Sequence, residues 1–379
     1  MTTQTQTAGP VNAIMLAGGV ALVASLAFAL VNLVGSGHAS FNTSSSGVTW
    51  GLLVVTYVFL SMASTGLAMV AALAAMFGAR QYAPLIKRCT FLSIVTLLAA
   101  FASLALEMGH PFRMLWAIPL NFQPSSALVW MGIFYLICLV LLIVKFAKMH
   151  SGNWSGEGLT RAGFVLEVLA LGTLGSAFGL MAMRPAWYGS EVPAQFLACG
   201  AVIGVAFAVL INQLTYGMDS KAMPERVCNV MTGSLPKLFA ATLGLYLVFL
   251  LFRTVNSLWT NADGFQVASM LVKSPWFIIE VIALLGAFLV MISPTLRAVG
   301  NMQVMAAVAT LVAMFIGRYE YIVGGQLVPL FKGAWVPGLI DYTPSTTEWV
   351  ITVMAFSLVF AAWAYGEKKL NLADEPTGR

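Results

Sequence analysis

Three residues at the end of an apolar run concentrate most of this chain's chemistry. Glu107 is followed three positions later by His110 and six positions later by Arg113, with Pro111 between them to stop a helix. Residues three apart share a helix face, so a carboxylate and an imidazole are expected together where the apolar run meets water. Such a pair can hydrogen-bond a quinone oxygen and pass its proton to water. Trp116, Trp130 and Tyr135 follow closely and supply flat rings to pack beside it. The simpler reading, compatible with the first, is a Glu107–Arg113 ion pair closing the helix end.

Ionisable side chains are expensive in a membrane, so each one inside an apolar run is a functional candidate. Arg253, Glu280 and Arg318 all fall toward the same side as Glu107. A buried carboxylate there is too costly unpaired, so these three are expected to form an ion-pair cluster between helices. Its role is open between structural glue and part of a second proton or quinone site. Glu167 lies about two turns inside its run from the opposite side. It either begins a proton path or snorkels to the near surface. The small residues of Ser61–Gly66 and the Gly175-xxx-Gly179 spacing predict close helix packing in lipid.

The elements that must position these residues are membrane-spanning helices. The chain has 379 residues, 60% hydrophobic and 9% charged, against about 25% charged in soluble domains. Ten apolar runs are long enough to span about 30 Å of hydrocarbon, at 12–34, 50–78, 90–107, 125–147, 162–183, 193–215, 235–257, 275–293, 298–317 and 347–366. None alternates in polarity as a barrel strand does, and continuous runs satisfy their backbone only as helices. The fold expected is therefore an all-α integral membrane protein. Of the Lys and Arg residues, 13 fall on the side of the N-terminus and 6 on the other, which predicts cytoplasmic termini. The segment MTTQTQTAGP has no charged n-region, so no cleaved signal peptide is expected.

The net charge of +5 is spread over short loops and points to no nucleic acid. Cys89, Cys138, Cys199 and Cys228 form no CxxC pair, and His38, His110 and His150 all lie outside the middles of the runs. Neither an iron–sulfur cluster, a haem nor another metal site is expected in this chain. Helix starts at Pro124-Ser125-Ser126 and Ser274-Pro275-Trp276 lie four spans apart. They suggest two four-helix bundles, spans 2–5 and 6–9, as parallel repeats. The divisions expected are 1–48, 49–190 (first bundle), 191–318 (second bundle) and 319–379. The segments 108–124 and 318–346 are the longest polar loops, either a docking platform for an exterior protein or plain connectors.

The stretch Leu106-Glu107-Met108-Gly109-His110-Pro111-Phe112-Arg113 resembles the acidic-x-Gly-x-Pro-x-Arg signature of the NrfD/polysulfide reductase membrane-subunit family. Trp50-Gly51 with Ser61–Gly66 is similar to that family's second span, and Pro124-Ser125-Ser126 through Trp130-x-Gly132 to its Ser-Pro-x-x-Trp-Gly element. Gly324-Gly325-Gln326-x-x-Pro329 resembles the loop before the last span in ten-helix members, DsrP-type subunits among them. The resemblance implies a subunit without redox cofactors of its own in a bacterial cytoplasmic membrane. It implies binding of menaquinone or ubiquinone near the exterior face, and electron exchange with a docked periplasmic ferredoxin-like iron–sulfur subunit. Further redox chains, a cytochrome c or a molybdopterin-bearing or other catalytic subunit, would complete the complex; coupling to proton translocation is a separate hypothesis, resting on Arg253, Glu280 and Arg318 of the second bundle. Glu107 matches the family's acidic position and Arg113 its arginine, whereas His110 stands where the signature is free. Quinone ligands in the family's first spans are often His or Asn. This chain offers Asn12, Asn32 and, just beyond the span, His38. The rival readings are a secondary transporter, which predicts broken helices and midplane polar groups, and a purely structural anchor.

Overall fold

The computed structural model describes residues 9–44, 47–108, 113, 116, 119–154, 157–260, 267–329 and 338–375. Ten long helices carry the fold: α1 (Gly9–Ser36), α2 (Leu52–Phe77), α3 (Ile86–Glu107), α4 (Ala127–His150), α5 (Glu157–Gly179), α6 (Val192–Thr215), α7 (Leu235–Thr260), α8 (Pro275–Ile292), α9 (Gly300–Gly324) and α10 (Thr346–Lys369). Each is long and apolar enough to cross a bilayer. The chain is a multi-pass, all-α integral membrane protein.

Helix ends follow local chemistry. Gly78 adopts φ +67°, a left-handed conformation that glycine takes without strain, and so terminates α2. Ser274 accepts a hydrogen bond from the Trp276 amide and Pro275 opens α8. Ser345 and Glu348 form a reciprocal capping box at the start of α10. Ser126, at the matching start of α4, makes no such cap, so the two similar sequences begin helices by different means.

Helices α2, α3, α4 and α5 pack in a closed ring, and α6, α7, α8 and α9 form a second. The rings meet where α2 lies against α6. A Cβ added at Gly66 would overlap the Gly200 carbonyl oxygen, and one at Gly204 would overlap the Gly66 carbonyl carbon. Backbone touches backbone here, the close approach expected of small residues in lipid. Gly175 and Gly179 likewise lie against the start of α6 and the turn before it, facing Pro193 and Gly189. The pair α1 and α10 flanks both rings, with α10 on α3.

One face carries the turns at 37–44, 180–191 and 325–329, and we call it the loop-rich face; the other is the terminal face. At the loop-rich face Trp50 stacks on Trp187 at 5.3 Å and 13°. Gln326 is wholly buried. Its Oε1 accepts from the Thr49 amide and hydroxyl and the Trp50 amide, at 3.0 Å each. Its Nε2 donates to the carbonyls of Trp50 and Ile322. At the terminal face Arg88, fully buried, makes two hydrogen bonds to Glu367 and one to Asn212, tying α3 to α10 and α6.

Several expected boundaries shift. Helix α5 starts at Glu157, before the run set at 162, and α10 continues to Lys369. Helix α9 continues to Gly324, so Arg318, Glu320 and Tyr321 are helical and the loop begins after them. A charge at the end of an apolar run reads as an exit to water; here the protein interior takes the charge instead. The short helices Glu225–Asn229 and Val267–Val272 and the π-turn Val230–Ser234 carry no sequence signal strong enough to have been expected.

Candidate functional site

Glu107 ends α3 at the loop-rich face, half-buried, with its Oε2 buried and without a hydrogen-bond partner. His38 stands in the 3-10 turn Gly37–Ser40 that follows α1. Its Nε2 donates to the Glu107 backbone carbonyl at 2.5 Å. A carbonyl only accepts, so this bond fixes the proton on Nε2 and leaves Nδ1 as the acceptor of the neutral ring. The Phe41 ring packs edge-on against the imidazole at 5.2 Å. Two sequence candidates that lie 69 positions apart are thus joined.

A second acidic residue completes this corner. Glu348, fully buried in the first turn of α10, lies close enough to act electrostatically on Glu107. Its Oε2 accepts from the Asn42 and Ser345 amides at 3.2 and 2.8 Å. Its Oε1 accepts from the Tyr342 hydroxyl, which in turn accepts from the Leu52 amide at 2.9 Å. Burial first, and then the Glu348 carboxylate, push the Tyr342 hydroxyl well above the usual tyrosine range. It therefore stays protonated and donates. Gly51 has no space for a side chain, since a Cβ there would overlap the Tyr342 oxygen. The knot fastens the start of α2, the turn bearing His38 and the start of α10 to one another.

The expected Glu107–Arg113 ion pair does not form among the described residues; Arg113 is exposed. His110 lies outside the described residues. Trp116 is exposed. Trp130 is also exposed, donates from Nε1 to the Pro124 carbonyl at 2.8 Å, and packs with Phe122 and Phe134. Tyr135 belongs elsewhere. It is fully buried inside the first ring, its hydroxyl unpartnered, with Tyr57, Thr65, Cys138 and Glu167 around it. Seen from sequence, Tyr135 follows Trp130 closely, but the helix turns the two side chains to different surroundings.

Glu167 does not snorkel. It is buried, accepts from Thr65 Oγ1 at 2.7 Å through Oε2, and leaves Oε1 unpartnered. Tyr57, Ser61 and Thr65 line up at four-residue spacing on α2, all buried. Lys145 on α4 and Thr160 on α5 share with Glu167 a cavity of about 20 Å³, the space of about one water. This internal polar line, running from Tyr57 and Tyr135 to Lys145, needed the packing of three helices to become visible.

Arg253, Glu280 and Arg318 do converge, around a cavity of about 120 Å³ in the second ring. No direct ion pair joins them among the described residues. Tyr246 stands between instead: Arg318 Nη2 donates to its hydroxyl, which donates to Glu280 Oε1, both at 3.3 Å. Arg253 lies over the Tyr321 ring at 4.1 Å. A Cβ at Gly317 would overlap Glu280 Oε1, so only glycine lets the carboxylate lie against α9.

Ten apolar spans enclosing buried carboxylates and guanidinium groups define a polytopic membrane protein. The chain belongs to the family described as polysulphide reductase, NrfD, which it matches over residues 41–330. It is 21% identical over 359 residues to the Hdr-like menaquinol oxidoreductase integral membrane subunit of Archaeoglobus fulgidus, covering 88% of this chain and 87% of that one. It is 21% identical over 363 residues to one of the subunits of the selenate reductase of Mesobacillus selenatarsenatis, covering 82% of this chain and 83% of the relative. The family match takes in α2 to α9. His38, Tyr342 and Glu348 stand outside it.

Proposed function

We propose that this chain is the quinone-reactive membrane subunit of a respiratory oxidoreductase complex in a bacterial cytoplasmic membrane. The observation that carries the reading is the Glu107 carboxylate, whose buried Oε2 lacks a partner beside the His38 imidazole at a membrane face. These groups fit a quinol: Glu107 accepts a hydroxyl hydrogen bond, and His38 Nδ1 offers a second acceptor. Bound there, menaquinone or ubiquinone supplies two-electron, two-proton chemistry. Glu107 then takes or returns a proton at Oε2, and His38 holds the end of α3 in place through the Glu107 carbonyl. The names of both relatives, a menaquinol oxidoreductase subunit and a reductase subunit, support a redox complex of this kind.

Electrons pass to or from a ferredoxin-like iron–sulfur subunit docked on the loop-rich face, which is periplasmic by the distribution of Lys and Arg; a cytochrome c or molybdopterin chain completes the route. Arg113 and Trp116, exposed at that face, belong to the docking surface. Trp130 flanks the approach from the lipid side. Protons follow Glu167, with Tyr57, Thr65 and Lys145 beside it, and in the second ring Arg253, Glu280 and Arg318.

The test is quinol-dependent turnover of the purified complex. Glu107→Gln should lower kcat at least tenfold while retaining bound partner subunits, and Glu107→Asp should recover part of it. Unchanged turnover in Glu107→Gln would remove Glu107 from the reaction.

A further inference from the structure

The cavity of the second ring has a chemical composition that a proton path alone does not require. Arg318 is 1% exposed, and its Nε and Nη1 have no hydrogen-bond partner. A buried guanidinium cannot shed its charge, so these two donors lack an acceptor beside a cavity that Arg318 lines. Glu280, 2% exposed, stands beside it, joined to Arg318 through the Tyr246 hydroxyl. A donor and an acceptor therefore stand side by side on the lining. Tyr321 and Phe277 add aromatic surface to the lining.

The cavity is not sealed. Ala268, Leu271 and Val272 of the short helix Val267–Val272 line it and are half-buried, as are Thr254 and Phe277. Its volume of about 120 Å³ is several times the roughly 10–15 Å³ that one water needs on the same measure. An anion would satisfy Arg318 but would face the Glu280 carboxylate. A neutral ring hydroxyl can accept from Arg318 and donate to Glu280 at once, and an apolar side opening lets a hydrocarbon tail pass to lipid.

We propose that this cavity is a second binding site for a quinone headgroup in its quinol form, with one ring hydroxyl accepting from Arg318 and donating to Glu280. The proposal shares with the proposed function the premise that the chain handles quinones, but it does not depend on Glu107.

The full chain, purified with its partner subunits and stripped of native quinone, can be titrated with the fluorescent quinol mimic 2-heptyl-4-hydroxyquinoline N-oxide. Two sites per chain are expected. Glu280→Gln combined with Tyr246→Phe should reduce this to one, and Gly317→Ala, whose methyl displaces the Glu280 carboxylate without removing any polar group, should weaken the same site at least tenfold. An azidoquinone photolabel on the unmodified protein should mark peptides within 246–257 or 317–321. A single site per chain overturns the proposal, as does a photolabel confined to the first ring, and neither result requires a variant to fold. Two sites that both survive Glu107→Gln, with one lost in Glu280→Gln, would support the second site while removing the first-ring reading.

Discussion

The imidazole of His38 is bonded through Nε2 to the backbone carbonyl of Glu107, not to its carboxylate. The two residues therefore cooperate without competing: the histidine anchors the end of α3 and leaves the carboxylate open to a ligand. His38 also comes from the turn after α1, a segment outside the family match, so a flanking helix contributes directly to the acidic corner.

This arrangement separates the effects of two substitutions. His38→Ala removes the anchor and should raise KM for quinol several-fold with a smaller loss in kcat. His38→Gln, whose amide can donate to the same carbonyl, should restore most of the affinity. Steady-state kinetics across quinol concentration distinguishes this from a proton-transfer role, in which kcat would fall in both variants.

The knot around Glu348 is structural. Tyr342→Phe deletes a donor to Glu348 and the acceptor for the Leu52 amide, at a cost of about 1–3 kcal/mol. The pH dependence has a definite sign. The folded protein raises the Tyr342 pKa above its ordinary value of 10.0. The unfolded chain therefore gives up this proton first as pH rises. The stabilisation is complete below about pH 10 and declines above it. Thermal unfolding in detergent should show a steep alkaline loss in the parent protein and a shallower one in Tyr342→Phe.

Gly66→Ala should destabilise the protein by about 1–3 kcal/mol or more, because the added methyl overlaps the Gly200 carbonyl. Gly172→Ala, in open space on α5, should cost nothing measurable. Paired melting curves of these two variants would check that the α2–α6 contact sets stability.

Thr65→Val keeps the shape of the side chain but takes away the hydrogen bond to Glu167. If Glu167 carries protons, this variant and Glu167→Gln should slow proton uptake coupled to quinone turnover at least several-fold, measured with a pH dye in proteoliposomes. Electron transfer to an artificial acceptor should be far less affected. Equal slowing of both reactions would place Glu167 outside the proton route.

The spans were legible because lipid imposes a length and a composition on each helix, and every run expected matches a helix. Glu107, Glu280 and Arg318 were legible as charges that lipid penalises. What was hidden depends on distance along the chain. Glu348 reads as an ordinary N3 glutamate of a capping box, and only folding carries it to Glu107, 241 positions upstream. Tyr246 and Tyr57 look like interfacial or core aromatics until their neighbours are known. The expected ion-pair cluster at Arg318 failed for a related reason: sequence shows that opposite charges share a depth, but not that a tyrosine comes between them.

The contact of Gly66 with Gly200 and Gly204 has a mechanical consequence. Where main chain meets main chain, α2 and α6 have no side-chain layer over which to rock or slide, so the seam is pinned at this point. A carrier that exposes its cargo alternately to the two sides needs its halves to tilt about such a seam. A subunit that holds a redox ligand at a set distance from an electron partner needs the reverse, because distance tolerance is where it would lose speed. The pinned seam suits the second duty.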